Sequence, residues 1–400
     1  MSLPKNIVLK ICWVIIFPVI FLINSCALRS VNILSTAEFK SSSEGQIVVT
    51  YDNSFGLVVI PITIKGKVYR FVFDTGAQTT VVSKELAEDI GLKKQSNVSV
   101  SDALGSSQKL SVSVMDTIYL GDFCYSNVGV LINDFQNNLQ FSCLKIDGIL
   151  GMNVIKLNNW EVNYDNTSIT VFNNENISTH EYKVIPLNPN KSGIPYAYFY
   201  INGIKEKFMI DTGKNSDLIS VSPEVILDNP SSLSIGYSSF GMFGKTIVDT
   251  TKYFNCSISD SSNLNIVNIV ASQSNNKKSL MGSGFFQKNC SSIIFDFKNN
   301  LLYISESKNE NKLLLSYGIT PMLTENNIVI GSKELNSSSN LDRLNLGDTI
   351  VGVNNILFKE NNSCQLLNEI WKSKKNQESI TLKVSHFGTI SNFTLPIKNF

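Results

Sequence analysis

The feature of this sequence that most restricts its fold is an internal repeat. Two segments place glycines in the same pattern around an Asp-Thr-Gly tripeptide, and equivalent residues are separated by a constant 137 positions, as 211 − 74. The first pattern comprises Gly56, Gly66, Asp74, Thr75, Gly76 and Ser83, and the second comprises Gly193, Gly203, Asp211, Thr212, Gly213 and Ser220. Because no insertion or deletion interrupts the pattern, we expect one supersecondary unit to be used twice.

A second pair of motifs extends the repeat. Gly148 to Gly151 (Gly-Ile-Leu-Gly) is matched by Ser279 to Gly282 (Ser-Leu-Met-Gly), now 131 positions apart, as 282 − 151. Short alternating apolar runs such as Leu57 to Ile64 are separated by Gly, Asn and Asp. This alternation predicts strands joined by hairpins. The fold class is therefore predicted to be mainly β.

Each copy has an apolar strand ending in Asp-Thr-Gly, and these residue types suit acid-base chemistry. A carboxylate at a strand end projects into a cleft, threonine can hydrogen-bond across to the other copy, and glycine lets backbone N–H groups approach the carboxylate. A pseudo-twofold axis would bring Asp74 and Asp211 together. Two carboxylates that close cannot both ionise, so one would serve as a base toward water and the other as an acid.

Composition argues against several other kinds of chemistry. The chain has only two histidines, His180 and His386, which disfavours zinc clusters and Ser-His-Asp triads. The 34 basic and 33 acidic side chains leave a formal charge of +1, which disfavours a nucleic-acid binder. We therefore expect no metal, no other cofactor and no nucleic-acid partner.

The duplicated apolar-apolar-Asp-Thr-Gly motif, followed each time by apolar-apolar-Gly, resembles the aspartic proteases, specifically the retropepsin-like branch in a fused, two-lobed form. The resemblance covers residues 51 to 305 or so. It implies two acid-protease barrel lobes related by a pseudo-twofold axis, an endopeptidase activity on peptide or protein substrates, and a catalytic dyad of Asp74 and Asp211. The loop residues that would support this dyad are Thr75, Gly76, Thr212 and Gly213.

The same resemblance implies a β-hairpin flap over the cleft, because glycines and small residues suit a hairpin that folds over a peptide and excludes water. The flap candidates in the two copies are Ala103, Leu104, Gly105, Phe240 and Gly241.

One residue departs from the family pattern. Lys214 follows the second Asp-Thr-Gly, where the family has a small residue, as Ala77 is in the first copy. Its ammonium either favours ionisation of both carboxylates or extends to water and leaves them unchanged. The first outcome favours an alternative function, a catalytically inactive protease-like protein that binds a peptide or a partner protein.

The C-terminal segment, residues 313 to 400, has a different pattern. Leu344 to Asn354 reads Leu-x-Leu-Gly-Asp-x-Ile-x-x-Val-Asn, and a helix is predicted from Cys364 to Trp371. The segment resembles bacterial PDZ domains, which implies an α+β fold that binds the C-terminus of a peptide as an added strand. The carboxylate-binding loop implied by this resemblance is Tyr317, Gly318 and Ile319.

The N-terminus indicates export. Lys5 and Lys10 flank an apolar stretch, Ile11 to Ile23, that is too short to span a bilayer comfortably and is typical of a signal peptide. Ile23 to Cys26 resembles the lipobox of bacterial lipoproteins, in which Cys26 would be acylated; a secretory signal with a chance cysteine is the alternative. We expect an exported lipoprotein, anchored in the outer membrane and facing the periplasm.

These interpretations give a predicted domain organisation of five segments. They are a signal peptide (1–26), a flexible tether (27–50), a first protease lobe (51–175), a second protease lobe (176–308) and a PDZ domain (313–400). Five cysteines remain after Cys12 and Cys26 are set aside, which permits two disulfides and one free thiol. Cys124 with Cys143 is one possible pair, and buried thiols without a disulfide are the alternative.

Overall fold

The computed structural model describes residues 30, 32–40, 45–53, 56–101, 105–135, 139–173, 182–240, 243, 246–260, 264–275, 278–305, 314–324, 327–335, 339–359 and 362–399. The predicted signal peptide, including Cys26, lies outside these residues. Within the described ranges, no helix is long and apolar enough to cross a membrane. The chain is mainly β, as the sequence predicted.

The first unit, residues 38–172, is a closed circuit of paired strands with a hairpin attached. Its strands are β1 (Glu38–Phe39), β2 (Gln46–Thr50), β3 (Val59–Ile64), β4 (Lys67–Phe73), β5 (Thr80–Ser83), β6 (Ser96–Ser101), β7 (Ser107–Leu120), β8 (Phe123–Asn133), β9 (Gly148–Leu150), β10 (Asn159–Asn163) and β11 (Ser168–Phe172). Its helices are α1 (Lys84–Asp89), α2 (Leu139–Leu144) and α3 (Met152–Ile155). Pairing runs β3-β4-β9-β5-β8-β7 and returns to β3, while β6 pairs with β7.

The second unit, residues 182–305, pairs its strands in the same order. Its elements are β12 (Tyr182–Pro186), β13 (Tyr196–Ile201), β14 (Ile204–Asp211), β15 (Ile219–Val221), β16 (Ser232–Phe240), β17 (Thr246–Ser259), β18 (Asn265–Gln273), β19 (Leu280–Gly282), α4 (Ser283–Asn289), β20 (Ser292–Asp296) and β21 (Leu301–Ser305). The circuit runs β13-β14-β19-β15-β18-β17 and returns to β13, with β16 on β17. In both units the second and seventh strands of the repeat, β4 with β9 and β14 with β19, are parallel.

The equivalent two-residue turns show why the repeated glycines are needed. Lys65 and Gly66 join β3 to β4 with φ of 49° and 79°, and Asn202 and Gly203 join β13 to β14 with φ of 47° and 84°. Two successive positive φ angles match the twist of a tight hairpin, and glycine adopts them without steric cost.

A third sheet joins the two units. Its order is β12-β21-β20-β10-β11-β2, so that β10 of the first unit pairs antiparallel with β20 of the second. One apolar core contains residues from both units, including Trp160 on β10, Phe73 on β4 and Phe208 on β14. The two units therefore share one hydrophobic core.

The third unit, residues 315–399, has its own core and is attached to both other units. Its elements are β22 (Leu315–Ser316), β23 (Ile319–Leu323), β24 (Ile328–Glu334), α5 (Ser339–Asp342), β25 (Thr349–Val353), β26 (Ile356–Leu357), α6 (Ser363–Lys375), β27 (Ile380–His386), β28 (Thr389–Leu395) and β29 (Lys398–Asn399). Strand β24 pairs with β16 of the second unit, with Gly236 opposite Ser332. The sheet of the second unit thus continues into the third.

A disulfide connects the third unit to the first. Cys143 on α2 is bonded to Cys364 on α6, with 5.3 Å between the Cα atoms. Cys143 is therefore not paired with Cys124, the example that the sequence suggested, and Cys124 carries a free thiol. Cys143 and Cys364 lie in different units, so their proximity depends on how the units pack.

Part of the segment predicted as a tether is attached to the first unit. Strand β1 pairs antiparallel with β8, and Phe39 packs edge-on against Phe123 with 5.2 Å between ring centroids. The carbonyl of Thr36 accepts hydrogen bonds from the Gly129 amide at 3.0 Å and from Asn153 Nδ2 at 3.3 Å.

Candidate active site

The two Asp-Thr-Gly segments occupy equivalent places in the two strand circuits. Asp74 directly follows β4, and Asp211 is the last residue of β14. In the parallel pairs, Phe73 is opposite Leu150 and Asp211 is opposite Gly282. Parallel pairing therefore places each apolar-apolar-Gly motif beside its Asp-Thr-Gly, which explains why the two motifs recur together.

Thr75 and Thr212 hold the two loops against each other. The backbone amide of each threonine donates to the Oγ1 of the other, both at 3.0 Å. Each hydroxyl also donates across the junction, Thr75 Oγ1 to the Ile210 carbonyl and Thr212 Oγ1 to the Phe73 carbonyl, both at 2.7 Å. Both threonines have no exposed surface. The loops are thus fixed by four reciprocal hydrogen bonds in a solvent-excluded setting, where such bonds are strongest.

Gly76 and Gly213 bring the two carboxylates close to the opposite loop. The Gly76 amide donates to Asp74 Oδ1 at 2.8 Å, and the Gly213 amide donates to Asp211 Oδ1 at 3.0 Å. A Cβ atom at Gly76 would lie 2.6 Å from Asp211 Cγ, and one at Gly213 would lie 2.5 Å from Asp74 Oδ2. Any side chain at either position would displace the aspartate of the other loop, so glycine is required there.

The two carboxyl groups interact directly. Burial raises the pKa of Asp74 well above its ordinary value, and the negative charge of Asp211 raises it further. Burial also raises the pKa of Asp211, whereas the hydrogen bond from Asp74 and the positive charge of Lys214 act in the opposite direction. The pair can therefore retain one shared proton at a pH where isolated aspartates are ionised. Such a pair can act as a base and an acid at once.

The residues after the two glycines differ in how they contact the aspartates. The Ala77 amide donates to Asp74 Oδ1 at 3.1 Å. The Lys214 amide donates to the backbone carbonyl of Asp211, also at 3.1 Å, and its Nζ donates to Ser220 Oγ at 2.7 Å. The Lys214 ammonium thus lies against a buried serine of strand β15, and its positive charge lowers the pKa of Asp211.

Two supporting residues were not identified from the sequence. Asn153 Oδ1 accepts from both the amide and the hydroxyl of Thr80, each at 2.8 Å, and its Nδ2 donates to the Gly129 carbonyl at 2.8 Å. Ser283 Oγ donates to the Thr212 carbonyl at 2.7 Å. Both are fully buried polar residues just after an apolar-apolar-Gly motif, and that position is the only signal that could have indicated them.

The flap candidates are only partly described. Ala103, Leu104 and Gly241 lie outside the described residues. Gly105 is exposed with a φ of 74°, and Phe240 ends β16 opposite Thr246. Phe243, which the sequence did not single out, packs against the apolar cluster of the first unit that also contacts Ala77. Phe243, between β16 and β17, therefore reaches the apolar cluster of the first unit.

The predicted carboxylate-binding loop of the third unit begins with a buried tyrosine. The Tyr317 hydroxyl donates to the Glu378 carbonyl at 2.7 Å, so this side chain belongs to the core of the unit. Gly318 has a φ of 74°, and its amide donates to Ser316 Oγ at 2.9 Å. Ile319 begins β23. The Gly318 amide is thus engaged within the loop itself.

Residues 60–154 match the family model of aspartyl proteases. This segment contains Asp74, Thr75 and Gly76 as well as the motif from Gly148 to Gly151, and the mainly β architecture agrees with that family's fold. The match supports a protease in general. No curated protein matches the chain. Across the part of the chain that the structure describes, no group of three or more His, Cys, Asp or Glu side chains is arranged to hold a metal ion.

Proposed function

We propose that this protein is an aspartic endopeptidase that hydrolyses peptide bonds with a water molecule activated between Asp74 and Asp211. The observation that carries the proposal is the junction of the two Asp-Thr-Gly loops, which brings two half-buried carboxyl groups close enough to interact with each other. The aspartyl protease match over residues 60–154 supports it, although that segment includes only the first loop.

The chemistry follows from a pair of carboxyls that share one proton. The ionised carboxylate takes a proton from water, whose oxygen adds to the peptide carbonyl carbon, while the protonated carboxyl donates to the carbonyl oxygen. The tetrahedral intermediate then loses the amine, which receives a proton from the carboxyl that was protonated by water, while one hydroxyl of the intermediate returns its proton to the other carboxylate and so restores the shared proton. The products are a carboxylic acid and an amine, and no covalent enzyme intermediate forms.

We also propose that the protein is exported and lipid-anchored through Cys26, and that the third unit is a PDZ module that recognises peptides or substrates. Sequence patterns support these assignments. The order of elements in the third unit, with β23 following the Tyr317 loop and α6 preceding β27, is compatible with peptide addition along β23. In the described residues, β23 pairs only with β24, which leaves its other edge for a peptide.

Separate Asp74→Asn and Asp211→Asn variants test the catalytic proposal. Each should abolish cleavage of a proteome-derived peptide mixture, measured by mass spectrometry at acidic and neutral pH, while the unfolding transition remains cooperative. Asp122→Asn, in the exposed turn between β7 and β8, is the matched control and should cleave like the wild type. Wild-type turnover by either dyad variant would overturn the proposal.

The anchor is tested independently by metabolic labelling with palmitate. The wild type should incorporate the label and fractionate with membranes, whereas Cys26→Ser should do neither. Equal labelling of both proteins would exclude Cys26 as the site.

A further inference from the structure

The two aspartates receive unequal support from their loops. Asp74 Oδ1 accepts two backbone hydrogen bonds, from Gly76 at 2.8 Å and from Ala77 at 3.1 Å. Asp211 Oδ1 accepts one, from Gly213 at 3.0 Å, because the next amide in this loop donates to the Asp211 carbonyl instead. Hydrogen bonds to a carboxylate stabilise its ionised form. The backbone alone would therefore favour Asp74 as the ionised partner.

Lys214 introduces a positive charge beside Asp211, the carboxyl that accepts fewer backbone hydrogen bonds. Its Nζ is held by Ser220 Oγ at 2.7 Å, and Ser220 is itself buried on β15. The stem of Lys214 packs on Gly282, where an added Cβ would lie 2.8 Å from Lys214 Cβ and 2.9 Å from Cγ. The equivalent residue in the first copy is Ala77, which has no charge, so this cation makes the site asymmetric.

We propose that Lys214 is a positioning residue that makes Asp211 the ionised base of the dyad and Asp74 its protonated acid. This assignment rests on the proposed function, because it states which carboxyl accepts a proton and which donates one during peptide hydrolysis. Asp211 then takes the proton from water, and Asp74 gives its proton to the carbonyl oxygen of the substrate.

The electrostatics of the site agree with this assignment. Among the described residues, the charged groups that change the pKa of the two carboxyls are the carboxyls themselves and Lys214. The neutral amides of Gly76 and Ala77 lower the pKa of Asp74, and that of Gly213 lowers the pKa of Asp211. Lys214 lowers the pKa of Asp211, whereas Asp211 raises that of Asp74. A fixed cation beside one member of a coupled pair favours ionisation of that member, and the shared proton moves to the other.

The test is an NMR titration of the side-chain carboxyls in protein labelled with ¹³C-aspartate. Asp74→Asn and Asp211→Asn identify the two signals, since a coupled pair titrates in macroscopic steps. In the wild type, the step at lower pH should belong mainly to Asp211. The Lys214→Met variant keeps an apolar stem on Gly282. In this variant the low-pH step should move to higher pH, and the Asp74 signal should account for a larger part of it. A titration of Lys214→Met that superimposes on the wild type would overturn the proposal.

Two further variants separate charge from structure. Lys214→Arg should keep the wild-type order of titration because it keeps a cation. Ser220→Ala should also leave Asp211 as the carboxyl that ionises first, because the ammonium remains near Asp211 without the hydrogen bond to Ser220 Oγ. If Lys214→Arg and Lys214→Met change the titration equally, the lysine acts through packing and the proposal is wrong.

Cleavage provides a second readout. Loss of the Lys214 charge should move the acidic limb of the pH–rate profile to higher pH, because Asp211 must be ionised to act as a base. If the limb moves by about one pH unit, turnover measured at a fixed pH on that limb should fall about tenfold. The NMR titration needs no substrate, so it decides the role of Lys214 even if the dyad variants show that the protein is not a peptidase.

Discussion

Trp160 on β10 packs against Phe73 on β4, with 5.0 Å between their ring centroids. Trp160 is fully buried, and its Nε1 donates to the Ile155 carbonyl at 2.6 Å. Phe73 directly precedes Asp74, and its carbonyl accepts the hydrogen bond from Thr212 Oγ1. The indole thus supports the strand end that carries the first aspartate.

Replacing Trp160 by alanine should lower the free energy of unfolding by about 3–5 kcal/mol, because it removes a large buried side chain and leaves a cavity beneath Phe73. Urea denaturation followed by circular dichroism measures this change. Trp371→Ala is a suitable comparison, since this exposed tryptophan on α6 should contribute far less. Comparable losses from the two substitutions would contradict the packing role given to Trp160.

The threonine junction should be sensitive to loss of a single hydroxyl. Thr75→Val removes the acceptor for the Thr212 amide and the donor to the Ile210 carbonyl. Each buried group left without a partner costs about 1–3 kcal/mol. Thr75→Ser keeps the hydroxyl and should retain most of the stability. Denaturation curves for the two variants that coincide would show that the hydrogen bonds are not the stabilising element.

Stability should depend on pH through the dyad. Between the ordinary pKa of aspartate and the raised pKa of Asp74, the folded state holds a proton that the unfolded state has released. The free energy of unfolding should therefore fall as pH rises through this window, and level off above the raised pKa. Urea denaturation across pH measures this slope. Asp74→Asn should flatten it and Asp122→Asn should leave it unchanged; an identical slope in all three proteins would exclude the dyad as its origin.

The disulfide should stabilise the attachment of the third unit. Replacing both Cys143 and Cys364 by serine should lower the free energy of unfolding by about 2–5 kcal/mol, as expected for a bond that closes a long loop. A reducing agent should have the same effect on the wild type and none on the double variant. Cys124→Ser, which removes a free thiol, should respond to reduction like the wild type. A double variant as stable as the wild type would show that the other contacts suffice.

The repeat was informative because it has a constant spacing. Equivalent residues at a fixed offset experience equivalent strand environments, so Asp74 and Asp211 could be expected at equivalent strand ends. The alternation of apolar residues likewise predicted a mainly β chain. The alternation and each Asp-Thr-Gly motif are local patterns that short windows of sequence contain, and the repeat emerges when two such windows are compared.

Other features depend on packing between distant segments. The disulfide joins Cys143 and Cys364 across 221 positions, and no spacing rule links them. The pairing of β16 with β24 could not be predicted, because alternation defines the faces of a strand and not its neighbours. The direction of the Lys214 side chain is likewise set by Ser220 and Gly282, which lie on other strands.

The pairing of β10 with β20 bears on the order in which this chain can mature. During synthesis, the whole first unit precedes β20 along the chain. Until β20 is present, the backbone N–H and C=O groups along one edge of β10 have no partner strand. Such an exposed strand edge can pair with other chains. This edge is covered only when Ser292–Asp296 has paired with it, so the second unit protects the first from pairing with other chains.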